Sequence, residues 1–332
     1  MPTPHLPTLE SHLTTLLPSP TRSRLRQQIL PNLLSTISII SKALRASNTV
    51  TAVGTSNAFG DAQLDVDVLA EEALRATISS IPSISTASSE EDPLERSGSS
   101  CLAPMSEDDC QEEYTLAFDP LDGSSIIKPN WTVGSIIGIW DGETALRRNP
   151  DERQVAAVLG VYGPRTMAVV ALRIPGEEGR CFEVGFGEEG ELLVVRTDVR
   201  FDGPPFETRY FAPANLRAAA EDEKYMGLVT RFIKEEYTLR YSGGLVPDVV
   251  HALVKGHGVY VSPVTEKSQA KLRRLYELLP VALIVECAGG LALDSRTGER
   301  ILGRQVADTD ERGGLICGTK EEVEYVRRAL VS

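Results

Sequence analysis

Positive charge is scarce in this chain of 332 residues: 34 lysines and arginines face 47 aspartates and glutamates, a net charge of −13. That balance argues against nucleic acid and membranes as partners, because phosphate backbones and anionic headgroups attract the opposite sign. Cysteine is sparse as well. Five cysteines, an odd number, give no disulfide framework in a chain this long. Cys101 and Cys110 share one segment, and two reduced thiols in a loop are expected there rather than a redox pair. No apolar run reaches membrane-spanning length, and even Thr132 to Trp140 contains polar residues. The first twenty residues lack the apolar core of a secretory signal and hold Pro2, Pro4, Pro7, Pro18 and Pro20. Their Ser and Thr, followed by Arg, faintly suggest a transit peptide, which those helix-breaking prolines oppose. A cytoplasmic protein is expected. No internal repeat appears. A hydrophobic content of 42% and a charged content of 24% are ordinary for a globular chain, as one large domain or two ordinary ones.

The most informative stretch is Phe118-Asp119-Pro120-Leu121-Asp122-Gly123-Ser124-Ser125. An apolar strand, Tyr114 to Phe118, stops at a turn that Pro120 fixes and Gly123 permits. Two carboxylates flank the turn, and backbone N–H groups follow at Gly123 to Ser125. Carboxylate oxygens suit Mg²⁺, and a row of turn amides suits a phosphate. One turn thus offers both halves of a metal-assisted phosphoryl site, although an isolated Asp-Pro-x-Asp-Gly is more often a plain surface turn.

Residues 22 to 47 read as helical on both sides of Pro31, with Leu33, Leu34, Ile37, Ile40 and Leu44 as an apolar stripe. Asn48 to Gly60 reads as a polar loop, and Asp61 to Ile81 as a helix whose first turns carry Asp61, Asp65 and Asp67. Acids there usually balance the helix dipole. Ser85 to Ser89 is a β-prone run that ends in Glu90-Glu91-Asp92, and strand ends in α/β proteins gather where ligands bind. Asp92 to Glu113 reads as a mobile loop over the site. Strands are expected at Thr132 to Trp140, Val155 to Tyr162 and Thr166 to Leu172, and a hairpin over Arg180 to Arg196. Asp198 to Pro205 is the best boundary, dividing an N-terminal part, 1–200, from a C-terminal part, 201–332. Beyond it, helices and strands alternate. Lys271 to Leu279 reads as a helix ending at Pro280.

These motifs together resemble the Mg²⁺-dependent fructose-1,6-bisphosphatase and sedoheptulose-1,7-bisphosphatase family, from about residue 30 onward. The resemblance implies an α/β layered sandwich of two abutting subdomains and hydrolysis of the 1-phosphate of a ketose bisphosphate. It implies that Glu90, Asp119, Asp122, Glu277 and the Leu121 carbonyl hold two or three Mg²⁺, with Mn²⁺ as a substitute. Glu91, helped by Asp67 and Asp61, would take a proton from water, and the amides of Gly123, Ser124 and Ser125 would hold the departing phosphate. Asn215, Arg217, Arg240, Tyr241 and Lys271 match the family's grip on the far end of the sugar. The Arg240 position serves a neighbouring subunit in the family, which implies a homodimer or homotetramer.

Tyr237-Thr238-Leu239-Arg240-Tyr241 and Asn215-Leu216-Arg217 resemble the sedoheptulose branch most. Ala218 and Ser262 stand where fructose-bisphosphatases carry tyrosines, a loss of bulk that suits a longer sugar. Two other readings stay open: an inositol- or nucleotide-type monophosphatase and a non-catalytic binding relative. Against the first, both tryptophans, Trp131 and Trp140, precede the second half, where that branch keeps a Trp-Asp metal pair. Many fructose-bisphosphatases are inhibited by AMP held among N-terminal helices. The matching motif is not found here, and Glu113 stands where AMP-sensitive members carry lysine, so insensitivity to AMP is expected.

Overall fold

The computed structural model describes residues 6–18, 20–60, 62–98, 112–188 and 190–331. Helix α1 (Leu9–Leu16) leads to a helical run over 23–46 that finishes as α2 (Leu30–Ala46). Pro31 does not break this run: it sits in the first turn of α2, behind a wider π turn at Leu25–Ile29. The expected loop after it holds strand β1 (Ala52–Ser56), paired antiparallel with β2 (Ala62–Leu64). The helix expected from Asp61 therefore begins only at Asp65, as α3 (Asp65–Ser79). Asp61 itself lies outside the described residues, as do Cys101, Cys110 and most of the loop between them and its neighbours.

Next come β3 (Ile84–Ser89), β4 (Arg96–Ser97), β5 (Tyr114–Asp122), the one-turn α4 (Ser124–Ile127), β6 (Val133–Asp141), the one-turn α5 (Pro150–Arg153), β7 (Gln154–Tyr162), β8 (Thr166–Leu172), β9 (Arg180–Phe186) and β10 (Leu192–Arg196). The strands form one sheet in the order β10-β9-β8-β7-β6-β5-β3-β4, antiparallel except where β3 runs parallel to β5. The rest of the chain adds β11 (Tyr210–Pro213), α6 (Glu223–Lys234), β12 (Thr238–Leu239), α7 (Leu245–Lys255), β13 (Val259–Ser262), β14 (Leu272–Arg273), α8 (Leu279–Cys287), β15 (Leu291–Leu293), β16 (Arg312–Gly313), β17 (Leu315–Gly318) and α9 (Lys320–Leu330). A second sheet runs β12-β11-β13-β17-β15.

Side-chain alternation stacks these elements into α/β/α/β/α layers. On β7, Ala156 and Val158 face the layer of α1, α2 and α3, while Ala157, Leu159 and Val161 face α7 and α8. Both faces are covered, so the strand reads as one continuous apolar run. α7 and α8 fill the space between the sheets, and α6 and α9 cover the outer face of the second. Among the described residues, no helix is long and apolar enough to cross a membrane.

One expected helix is corrected. Lys271 is not helical; it precedes β14, and a π turn at Arg274–Leu278 runs on into α8. Pro280 does not end the helix: it sits in the first turn of α8, directly behind the wider π turn, as Pro31 does in α2. At Gly134 on β6, an added Cβ would lie 2.5 Å from Val246 Cγ1. Glycine there lets the start of α7 rest directly on the sheet.

Candidate active site

The parallel pairing of β3 and β5 sets Ser89 opposite Phe118, and the Glu90 N–H donates to the Phe118 carbonyl at 3.1 Å. Two acidic segments separated by many residues thereby meet at one sheet edge. Asp119 and Asp122 end β5, and Glu277 reaches them from the π turn before α8. Each of the three offers an oxygen, and these atoms all lie within 4.8 Å of one another, in buried surroundings.

Burial pushes all three acids up, and the neighbouring charge of Glu90 adds to this; Asp122 is pushed up to about 7. Amides answer them in part. Leu121 N–H donates to Asp119 at 3.0 Å, and Leu245 and Val246 N–H, at the start of α7, donate to Asp122 at 3.3 and 2.7 Å. Arg273 N–H donates to Glu277. Three carboxylates this close, in so dry a place, suit a hard divalent cation with oxygen ligands, so the residues present fit Mg²⁺.

The same cluster sets a stability prediction. The folded chain retains protons here that the unfolded chain releases above about pH 4, so without divalent cations stability falls as pH rises from about 4 toward 7 and beyond. A cation replaces those protons. Mg²⁺ or Mn²⁺ at a hundredfold excess over its Kd is expected to raise Tm by roughly 5 °C at pH 8, and by less at pH 5.5. Thermal melts with and without chelator at both pH values check this; an equal shift at both refutes it.

Glu90 borders the trio, but its carboxylate is ion-paired with Arg273. The Arg273 guanidinium also lies 4.1 Å from the centre of the Phe59 ring, in the loop before β2. This arginine, in the stretch Lys271 to Leu279, is buried rather than solvated. Glu91 accepts from the Gln63 side-chain amide and is pushed up to about 7, by burial first and then by Asp67 and Glu90. Asp67 is pushed up to about 6 by burial, against the Leu64 N–H that it accepts at 2.9 Å. Its other oxygen is buried with no hydrogen-bond partner among the described residues. Asp65, read as a dipole-balancing acid, accepts from the Thr51 N–H and hydroxyl at 3.1 and 2.8 Å.

At Gly123 φ is +102°, a left-handed conformation that glycine adopts without strain. The Ile126 and Ile127 N–H groups close on its carbonyl at 2.9 and 3.2 Å, which presents exposed Ser124 and Ser125 on the first turn of α4.

In the second half, Asn215, Arg217 and Tyr241 come together: the Asn215 N–H donates to the Tyr241 hydroxyl, and the Arg217 charge lies beside it. Asn215 sits at φ +50°, where asparagine is tolerated, and its side chain donates to the Pro263 carbonyl at 3.0 Å. Lys271 is exposed. Arg240 is exposed too, 5.7 Å from the Tyr210 ring centre, with its Nη1 donating to the Leu239 carbonyl. It lines a broad cleft of about 1810 Å³ together with Trp131, Arg165 and Lys255. Ala218 is fully buried in the outer core, so it lines no pocket; half-buried Ser262 is the position that remains open to a size argument.

Two acids lie where the start of β5 meets the N-terminal helices. Glu113 accepts from the Ser85 hydroxyl at 2.6 Å. Its neighbour Glu112 lies at the head of the 23–46 helix and accepts from the Arg24 N–H at 3.0 Å and the Ser23 hydroxyl at 3.0 Å. Tyr114 also donates to Glu112, at 3.0 Å.

Comparison with known proteins agrees with this geometry. The fructose-1-6-bisphosphatase N-terminal domain matches residues 19–189, and its C-terminal domain matches residues 205–331. A chloroplastic sedoheptulose-1,7-bisphosphatase of Triticum aestivum is 38% identical over 80% of this chain, a match spanning 63% of the plant protein's length. A class 1 fructose-1,6-bisphosphatase of Syntrophotalea carbinolica is 35% identical over 83% of this chain and 80% of its own. The crystal structure of a Toxoplasma gondii protein, provisionally named a sedoheptulose-1,7-bisphosphatase, superposes with a TM-score of 0.85 at 32% identity, covering 98% of each chain. With both domains matched in order, the chain belongs to the fructose-1,6-bisphosphatase family.

Proposed function

We propose that this chain is a divalent-cation-dependent sugar bisphosphatase acting on sedoheptulose 1,7-bisphosphate, fructose 1,6-bisphosphate or both. The observation that carries the reading is the buried Asp119, Asp122 and Glu277 trio, with Glu90 close enough to act on it and on Glu91 and Asp67. In this reading those three, with Glu90 and the Leu121 carbonyl, hold Mg²⁺. Mg²⁺, when bound, supplies Lewis-acid polarisation of phosphoryl oxygens. Glu91 takes a proton from the attacking water, since its pKa of about 7 matches the working pH. Asp67 and Asp61 support it. Gly123, Ser124 and Ser125 amides hold the departing phosphate. Asn215, Arg217, Tyr241 and Lys271 grip the far phosphate, and Arg240 is offered to a partner subunit of a homodimer or homotetramer. The metal motifs then fall mainly in 1–200 and the sugar contacts in 201–332, with Glu277 crossing between them. The setting is the cytoplasm.

The test is phosphate release by the pure protein, with Mg²⁺, from both bisphosphates and from inositol monophosphate. Activity on either bisphosphate and little on inositol phosphate is the expected result. Preference for inositol phosphate, or no release at all, overturns the reading.

A further inference from the structure

The turn that carries Glu90 and Glu91 is held from outside itself. Within the turn, Ser89 N–H donates to the Asp92 carbonyl and Asp92 N–H to the Ser89 hydroxyl, both at 2.9 Å. Those bonds give the turn its shape but do not fix its place over α3. Arg75 does that. Its Nη1 donates to the Ala87 carbonyl at 3.0 Å, and its Nη2 to the Ser89 hydroxyl and the Asp92 carbonyl, both at 3.4 Å. Its Nε donates to Glu71 at 2.7 Å, and Glu71 in turn accepts from the Ser89 hydroxyl at 2.9 Å. The guanidinium also lies 5.3 Å from the centre of the Phe118 ring, on the strand that leads to Asp119.

Spacing gives these contacts meaning. Asp67, Glu71 and Arg75 are four residues apart, so they line one face of α3. One end of that line is the acid beside Glu91; the other end grips the turn from which Glu91 projects. We propose that Arg75 is a positioning residue. Its planar fork, with Glu71 as its brace, sets the height of the Ser89–Asp92 turn above α3, and so the distance between Glu91 and Asp67. A planar guanidinium reaches several acceptors at once in a way an ammonium cannot. The proposal deepens the phosphatase reading and rests on it for the consequence in turnover, but the grip on the turn stands independently.

The test compares wild type with Arg75→Met, which keeps the packing on Phe118 and loses every polar contact, and with Arg75→Lys. Arg75→Met is expected to lower kcat about 100-fold, the cost of a displacement of about 1 Å at a reacting group, with KM within about twofold. Arg75→Lys recovers part of that loss. Hydrogen exchange in the Ala87–Asp92 segment rises in Arg75→Met, while the distant β7 and β8 exchange as in wild type. Arg75→Met with wild-type kcat, or with a loss confined to KM, overturns the positioning role. If wild type releases no phosphate from any bisphosphate, the phosphatase reading fails on its own. Exchange then decides the clamp, and an unchanged Ala87–Asp92 segment overturns it.

Discussion

Asp122→Asn is expected to lower kcat roughly a thousandfold or more at saturating Mg²⁺, by analogy with removal of other transition-state electrostatics. The residue has two tasks at once. Its oxygens belong to the buried acidic trio, and the same oxygens accept the Leu245 and Val246 N–H groups that open α7. Asparagine keeps the shape but removes the charge, and because Leu245 N–H binds one oxygen and Val246 N–H the other, either placement of its NH₂ meets one of those donors beside the cation position. Both placements set donor against donor. Steady-state kinetics on a bisphosphate, beside a thermal melt to show that the variant is folded, make the measurement. Retention of a tenth of the wild-type rate would remove Asp122 from the metal site.

Glu91→Gln is expected to lower kcat by about 100- to 1000-fold with little change in KM, the usual range for loss of a positioned proton acceptor. Glutamine preserves the hydrogen bond to Gln63 after an amide rotation, so folding should survive. Because burial is the main cause of the raised Glu91 pKa, the defect follows from lost basicity rather than from a lost contact. A less than tenfold loss would assign the proton transfer to another group.

How much of this was legible beforehand depends on where each residue's partners lie. Val155 to Tyr162 and Thr166 to Leu172 declared themselves as strands, since burial on both faces leaves a short, nearly continuous apolar run between turn residues. The meeting of Glu90 with Asp119 was legible in outline, because both follow β-prone runs. The β1–β2 hairpin was not: β1 is exposed along its whole length, so no hydrophobic alternation marks it. Pro280 misled because a proline inside an apolar run reads equally as a stop or as a helix's first turn. Arg273 was hidden for a different reason. It is buried by Glu90 and Phe59, both remote in sequence, and the charges of Lys271 to Leu279 taken alone look solvated. Arg75 was hidden in the same way, behind partners on β3 and its following turn.

Glu112, at the head of the 23–46 helix, has a consequence for what the protein can sense. A helix entrance with open amides is a docking place for a soluble anion. Here a carboxylate fixed at the start of β5 already takes the Arg24 and Leu25 N–H groups, with the Ser23 and Tyr114 hydroxyls around it. A group attached to the chain competes as a tethered ligand, at an effective concentration in the millimolar range or above, and it never diffuses away. Any mobile nucleotide phosphate must displace it and also face its negative charge. The helix entrance is thereby closed from within, and phosphate release at saturating substrate and Mg²⁺ is expected to be the same with and without millimolar AMP.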